Sequence, residues 1–111
     1  ERLPDRPMST DRIDFDTLPW ESTVSGSTLQ VYREGGKQIR LLEFTEEFVE
    51  PHWCEKGHIG YVLEGTLAVD HQGRRVCYPA GSGLFIPGGP QSGHKATSLM
   101  PLVRLVLVED A

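Results

Sequence analysis

Three of the four histidines and one of the two cysteines fall in two short clusters, Pro51-His52-Trp53-Cys54-Glu55-Lys56-Gly57-His58 and Gly93-His94. Imidazoles and a thiolate suit a borderline transition metal, whereas Ca²⁺ and Mg²⁺ want oxygen. His52 and Cys54 are two apart, so on a strand both project to one face. Glu55-Lys56-Gly57 reads as a tight turn, which starts His58 on a return strand opposite Cys54. His94 lies beyond Pro87-Gly88-Gly89-Pro90 and has to come in on another strand. The candidate ligands are therefore His52, Cys54, His58 and His94. A lone buried histidine is more often hydrogen-bonded to backbone, but three at these spacings turn the reading toward a metal. Cys54 stays open between a ligand and a packed thiol. If it remains a thiol, three neutral imidazoles leave open metal positions for oxygenase, lyase or isomerase chemistry. If it ligates, one thiolate and three imidazoles suit a closed, tetrahedral Zn²⁺ site of the structural kind.

The elements that must hold these side chains are short strands between turn signals. Leu29 to Arg33 and Gln38 to Thr45 flank Glu34-Gly35-Gly36-Lys37, a Gly-Gly hairpin. His58 to Glu64 is a strand closed by Gly65. Thr66 to Asp70 and Arg74 to Tyr78 flank His71-Gln72-Gly73, and Leu84 to Ile86 and Leu102 to Val108 complete the set. No stretch carries three turns of helical apolar spacing, and about eight to ten short strands imply an all-β sandwich or small barrel. Residues 1–19, with Pro4, Pro7 and Pro19, read as an extended N-terminal arm, with Ile13 and Phe15 able to pin it to the body or to a second subunit. Residues 20–111 are the domain. The last strand is apolar on both faces, Val103, Leu105 and Leu107 against Leu102, Val106 and Val108, which calls for cover by the arm or by a partner and favours a homodimer.

The spacing of the clusters resembles a small single-domain cupin. The first cupin motif has the form Gly, five residues, His-x-His, three or four residues, Glu, six residues, Gly. The second has the form Gly, five residues, Pro-x-Gly, two residues, His. His52-x-Cys54, three residues, His58, six residues and Gly65 follow the first, and Gly81, five residues, Pro87-x-Gly89 and, after PQSG, His94 follow the second. The likeness spans roughly residues 40–108. Cys54 stands where the second His is expected, His58 where the Glu is expected, and Glu46 stands six residues before His52 in place of the opening Gly; His94 comes two residues late. The resemblance implies a cupin-type jelly-roll β-barrel and His52, Cys54, His58 and His94 at metal-ligand positions. The cofactor would be one divalent transition metal, Fe, Mn, Ni or Zn. Function would then be a metal-dependent enzyme acting on a small polar or anionic molecule in the barrel, or a non-catalytic small-molecule or metal-binding module.

Composition narrows the rest. The 111 residues carry 11 basic and 16 acidic side chains, a formal charge of −5, which argues against nucleic acid and against an anionic membrane surface. No apolar run is long enough to span a bilayer. Cys54 and Cys77 are too few to staple a secreted scaffold, and reduced thiols in a cytoplasmic protein are the expectation. No signal peptide is read. No catalytic acid or base is assigned: Glu64 and Glu43 are the carboxylates whose phase could turn inward, Tyr32 and Arg40 could line the barrel mouth, and His71, in its hairpin, reads as solvated. Trp53 between the ligands faces outward.

Overall fold

A computed structural model of the chain describes residues 11–111. The strands are β1 (Glu21–Val24), β2 (Ser27–Glu34), β3 (Lys37–Phe44), β4 (His58–Glu64), β5 (Thr66–Asp70), β6 (Arg75–Pro79), β7 (Gly83–Ile86), β8 (Lys95–Ser98) and β9 (Val103–Asp110). They form two antiparallel sheets, ordered β1-β2-β3-β9-β4-β7 and β6-β5-β8. Leu29, Leu42, Phe44, Val62, Leu84, Ile86, Val103, Leu105 and Leu107 from the first face Leu67 and Val69 from the second, with Phe48 from the connection after β3 joining them in one core. This is an all-β jelly roll, and no α-helix occurs among the described residues.

Local chemistry explains the turns. Gly35 and Gly36 both hold positive φ (60° and 79°) between Glu34 and Lys37, the conformation a two-residue hairpin needs to match strand twist. Gly60 serves a different purpose: a Cβ there would lie 2.2 Å from the Val106 carbonyl oxygen, so its absence lets β4 close against β9. The strands expected at His58–Glu64 and Thr66–Asp70 have those bounds. Two strands were not foreseen, β1 and β8.

Residues 1–10 of the expected arm lie outside the described residues. From Asp11 the chain reaches a single 3-10 turn at Phe15–Thr17 rather than staying extended, and it is tied down where Gln30 Nε2 donates to the carbonyls of Phe15 (2.7 Å) and Leu18 (3.0 Å). Ile13 and Phe15 are half-buried there. In β9 the inward face is the alternating set Val103, Leu105, Leu107 and Glu109. Among the described residues its outward face is left partly uncovered, Val108 being 40% exposed beside Ile59 and Phe85.

Candidate metal centre

Cys54 and His94 are set opposite each other by an isolated antiparallel bridge, Cys54 N–H to the His94 carbonyl (2.8 Å) and His94 N–H to the Cys54 carbonyl (2.9 Å). His58 reaches the same place through the turn between them. Gly89 N–H donates to the Glu55 carbonyl at 2.9 Å, and the Gly57 and Gly88 backbones pass so closely that a Cβ on Gly57 would sit 2.9 Å from the Gly88 nitrogen. His58 then opens β4, paired with Ile86 of β7. One donor atom from each of Cys54, His58 and His94 lies within 4.8 Å of the others. Cys54 Sγ and His58 Nε2 are 3.6 Å apart, and the two imidazoles meet edge to face with centroids 5.0 Å apart. An ion bonded at about 2.0–2.3 Å in a tetrahedral site holds its donors roughly 3.3–3.8 Å from one another, so small side-chain adjustments suffice.

The two rings are held in the same tautomer by their partners. His58 Nδ1 is 2.6 Å from Glu109 Oε1, and Nδ1–H donates to that carboxylate; His94 Nδ1–H donates to the Ser92 carbonyl at 3.0 Å. Each ring thus turns its Nε2 toward the cluster, that of His58 against the Cys54 sulfur and that of His94 without a partner, the arrangement in which metal-binding histidines are held. His94 is 3% exposed and its Nε2 has no hydrogen-bond partner, an orphaned buried acceptor that a metal ion would satisfy.

Glu109, whose side chain is fully buried, anchors this arrangement. Arg40 Nε approaches Glu109 Oε2 at 2.6 Å, Arg40 Nη2 donates to Oε1 at 3.0 Å and Gln38 Nε2 donates to Oε2 at 2.5 Å. Burial by itself raises the carboxyl pKa, but the hydrogen bonds from His58, Arg40 and Gln38 and the charge of Arg40 outweigh it and hold the group at about 2. Burial also pushes the Cys54 thiol up, and the nearby Glu50 and Glu109 add to this against a lowering hydrogen bond from the Lys56 backbone. Without a cation beside it, Cys54 is therefore a thiol.

His52 is placed elsewhere. Its side chain is exposed, and the described cluster is Cys54, His58 and His94 without it. The two-residue alternation that joined His52 to Cys54 requires a continuous strand, but residues 51–57 make a single bridge at Cys54 with a bend at His52. Glu64 and Glu43, weighed as inward carboxylates, face out onto Arg104 (3.6 and 3.0 Å), Glu64 after a register shift beyond Val62. Trp53 faces out as expected, 46% exposed with Lys95 Nζ 4.9 Å from its ring. His71 is half-buried rather than solvated, 3.3 Å from the Tyr78 hydroxyl. Glu109, Gln38 and Glu50 were missed. For Glu109 a signal existed: the inward phase of Val103, Leu105 and Leu107 runs on to it.

The cluster lines a cavity of about 370 Å³ between the sheets, whose wall also includes Arg40, Glu50 and Lys56. Both cysteines are free. No helix among the described residues is long and apolar enough to cross a membrane.

A family model described as ethanolamine utilisation protein EutQ matches residues 7–108. An RmlC-like cupin from Shewanella frigidimarina NCIMB 400 superposes with a TM-score of 0.74 at 19% identity, covering 93% of each chain. The polyketide cyclase RemF from Streptomyces resistomycificus gives 0.74 at 22% identity over 92% of this chain and 80% of its own. A putative ethanolamine utilization protein Q from Salmonella typhimurium LT2 gives 0.64 at 24% identity over 76% of this chain and 68% of its own. At these identities the solved structures establish the fold alone, a small cupin domain. No curated protein is significantly similar to the chain.

Proposed function

The chain belongs to the EutQ family of cupin-like proteins, and on that footing we propose that it holds one divalent transition metal through Cys54, His58 and His94 and presents it to a small molecule in the cavity. The observation that carries this reading is the bare, buried Nε2 of His94 beside a second Nε2 and a thiol, with both Nδ1 atoms already engaged. One sulfur and two nitrogens favour zinc, iron or nickel over the harder manganese. His52, exposed and outside the cluster, is not part of the proposed set.

A bound metal of this kind supplies Lewis-acid activation of a substrate oxygen. The chain's own groups do the rest. Glu109 keeps His58 oriented, with Nδ1 bonded to the carboxylate and Nε2 toward the cluster, and Arg40 and Gln38 keep Glu109 ionised. Glu50 lines the cavity with Oε1 accepting the Ala96 N–H at 3.0 Å, and as a catalytic group it would hold or pass a proton at its other oxygen. The second reading, a non-catalytic binding module, is favoured by Glu109: both its oxygens are committed to Gln38, Arg40 and His58, which leaves Glu50 to carry any acid–base step. A module returns its bound compound unchanged, which proton NMR of the incubated mixture reads directly.

Elemental analysis of protein purified without chelator tests the metal. About one transition metal per chain is expected, and its absence after reconstitution attempts with Zn²⁺, Fe²⁺ and Ni²⁺ contradicts the proposal. Two further readings belong with it. The exposed apolar row Phe85, Ile59 and Val108, joined by Tyr61, fits a second copy of this chain, and light scattering should give a dimer mass. A reducing compartment, the cytoplasm, fits two cysteines that remain thiols.

A further inference from the structure

The cavity is chemically lopsided. Its metal end gathers Arg40, Glu50, Lys56 and the Cys54–His58–His94 cluster, but the greater part of its wall is apolar, including Leu29, Leu42, Phe44, Leu67, Val69 and Leu105. None of those six side chains offers a hydrogen bond. Phe44 and Phe48, both in the wall, stack with ring centroids 3.9 Å apart and planes 5° from parallel, so this part of the wall is aromatic. A dry cavity of about 150 Å³ takes one benzene, so 370 Å³ has room for roughly two fused rings and a small head group. A polyhydroxylated molecule fits these walls badly, because each hydroxyl buried without a partner weakens binding by roughly tenfold or more.

We propose that the occupant is a flat, largely apolar acid of about a dozen heavy atoms. Its ring system lies between the leucine and phenylalanine walls, and its carboxylate or enolate head faces the Cys54–His58–His94 end. Recognition of the head rests on the metal proposed above. At that end Arg40 and Lys56 are balanced by Glu50 and Glu109, and the metal's charge tips the balance toward an anion. Recognition of the rings rests on the apolar walls alone. Of the small polar or anionic molecule expected from the sequence, this keeps the anionic head and gives it an apolar body.

Three probes separate the two parts: acetate, 2-naphthol and 2-naphthoate, titrated calorimetrically into the full chain with and without zinc. The expected result is that 2-naphthol binds both forms equally. 2-Naphthoate should bind the zinc form at least about tenfold more tightly than the metal-free form, and at least about tenfold more tightly than acetate binds the zinc form. Acetate binding the zinc form as well as 2-naphthoate does, with no binding of 2-naphthol, overturns the inference. Binding of 2-naphthol with no zinc effect on 2-naphthoate upholds the apolar body and overturns the metal reading, so the two failures are distinct. Ala96→Leu, which adds bulk inside the cavity wall, should weaken both naphthyl compounds about tenfold while zinc stoichiometry is unchanged. Unchanged naphthyl affinity in a variant that still takes up zinc would place the probes outside the cavity and overturn the proposal.

Discussion

Glu109→Gln isolates the part played by the buried carboxylate. The substitution keeps side-chain shape but leaves one acceptor oxygen where two receive His58 Nδ1, Arg40 Nη2 and Gln38 Nε2, and it turns an NH₂ toward donors. Arg40, only 21% exposed, loses its counter-charge. Lowering a carboxyl from 4.5 to about 2 corresponds to about 3 kcal/mol of preferential stabilisation of the ionised form, in the range for breaking a buried ion pair. The metal-free variant should therefore unfold about 10–15 °C below wild type in calorimetry. Zinc affinity is a separate readout. Loss of the charge-assisted hydrogen bond behind His58 should weaken it about 10- to 100-fold in competition with a chromophoric chelator. A variant that is less stable but binds zinc with wild-type affinity would refute the idea that Glu109 prepares His58 as a ligand. A variant unchanged in both would refute the ion-pair account altogether.

Three other outcomes follow from the same geometry. Because the Glu109 carboxyl is depressed in the folded state, its contribution to stability is fully present above pH 4.5 and is lost as the pH falls toward 2; chemical denaturation of the metal-free protein across that window should show a decline of about 3 kcal/mol that Glu109→Gln lacks. His94→Ala should abolish stoichiometric zinc uptake measured by equilibrium dialysis, whereas His52→Ala, at an exposed position, should leave it within about twofold; equal losses would restore His52 to the ligand set. Gly60→Ala should destabilise the domain by about 3 kcal/mol or prevent folding, because its Cβ would meet the Val106 carbonyl at 2.2 Å, and wild-type stability in urea denaturation would show that β4 and β9 are not held this close.

The hairpins were legible where glycine left the chain no alternative. Gly35-Gly36 fixed the β2–β3 turn, and the closing Gly65 bounded β4. β8 escaped because Lys95-Ala96-Thr97-Ser98 has no apolar alternation; it is a strand through its ladder with β5 and the hydrogen bonds that Glu50 makes to Ala96. That Cys54, His58 and His94 come together was legible from turn chemistry and motif spacing. His52 was added to them by applying strand periodicity where the backbone makes only one bridge. Glu109 was overlooked because the apolar run ends at Val108, yet β9 continues to Asp110. A sequence reader who follows the alternation past the last hydrophobic residue meets the carboxylate. Its partners on β3, Gln38 and Arg40, are placed opposite by a register that only pairing reveals: Gln38 faces Glu109 directly.

On the proposed reading, Cys54, His58 and His94 bind one ion between them. Anomalous diffraction at the metal edge, from crystals of protein purified without chelator, tests it most directly. A single peak within about 2.0–2.4 Å of Cys54 Sγ, His58 Nε2 and His94 Nε2 is the expected result. A metal-loaded protein whose peak lies away from these three atoms, or a His94 Nε2 bonded instead to ordered water with no peak beside it, would contradict the account.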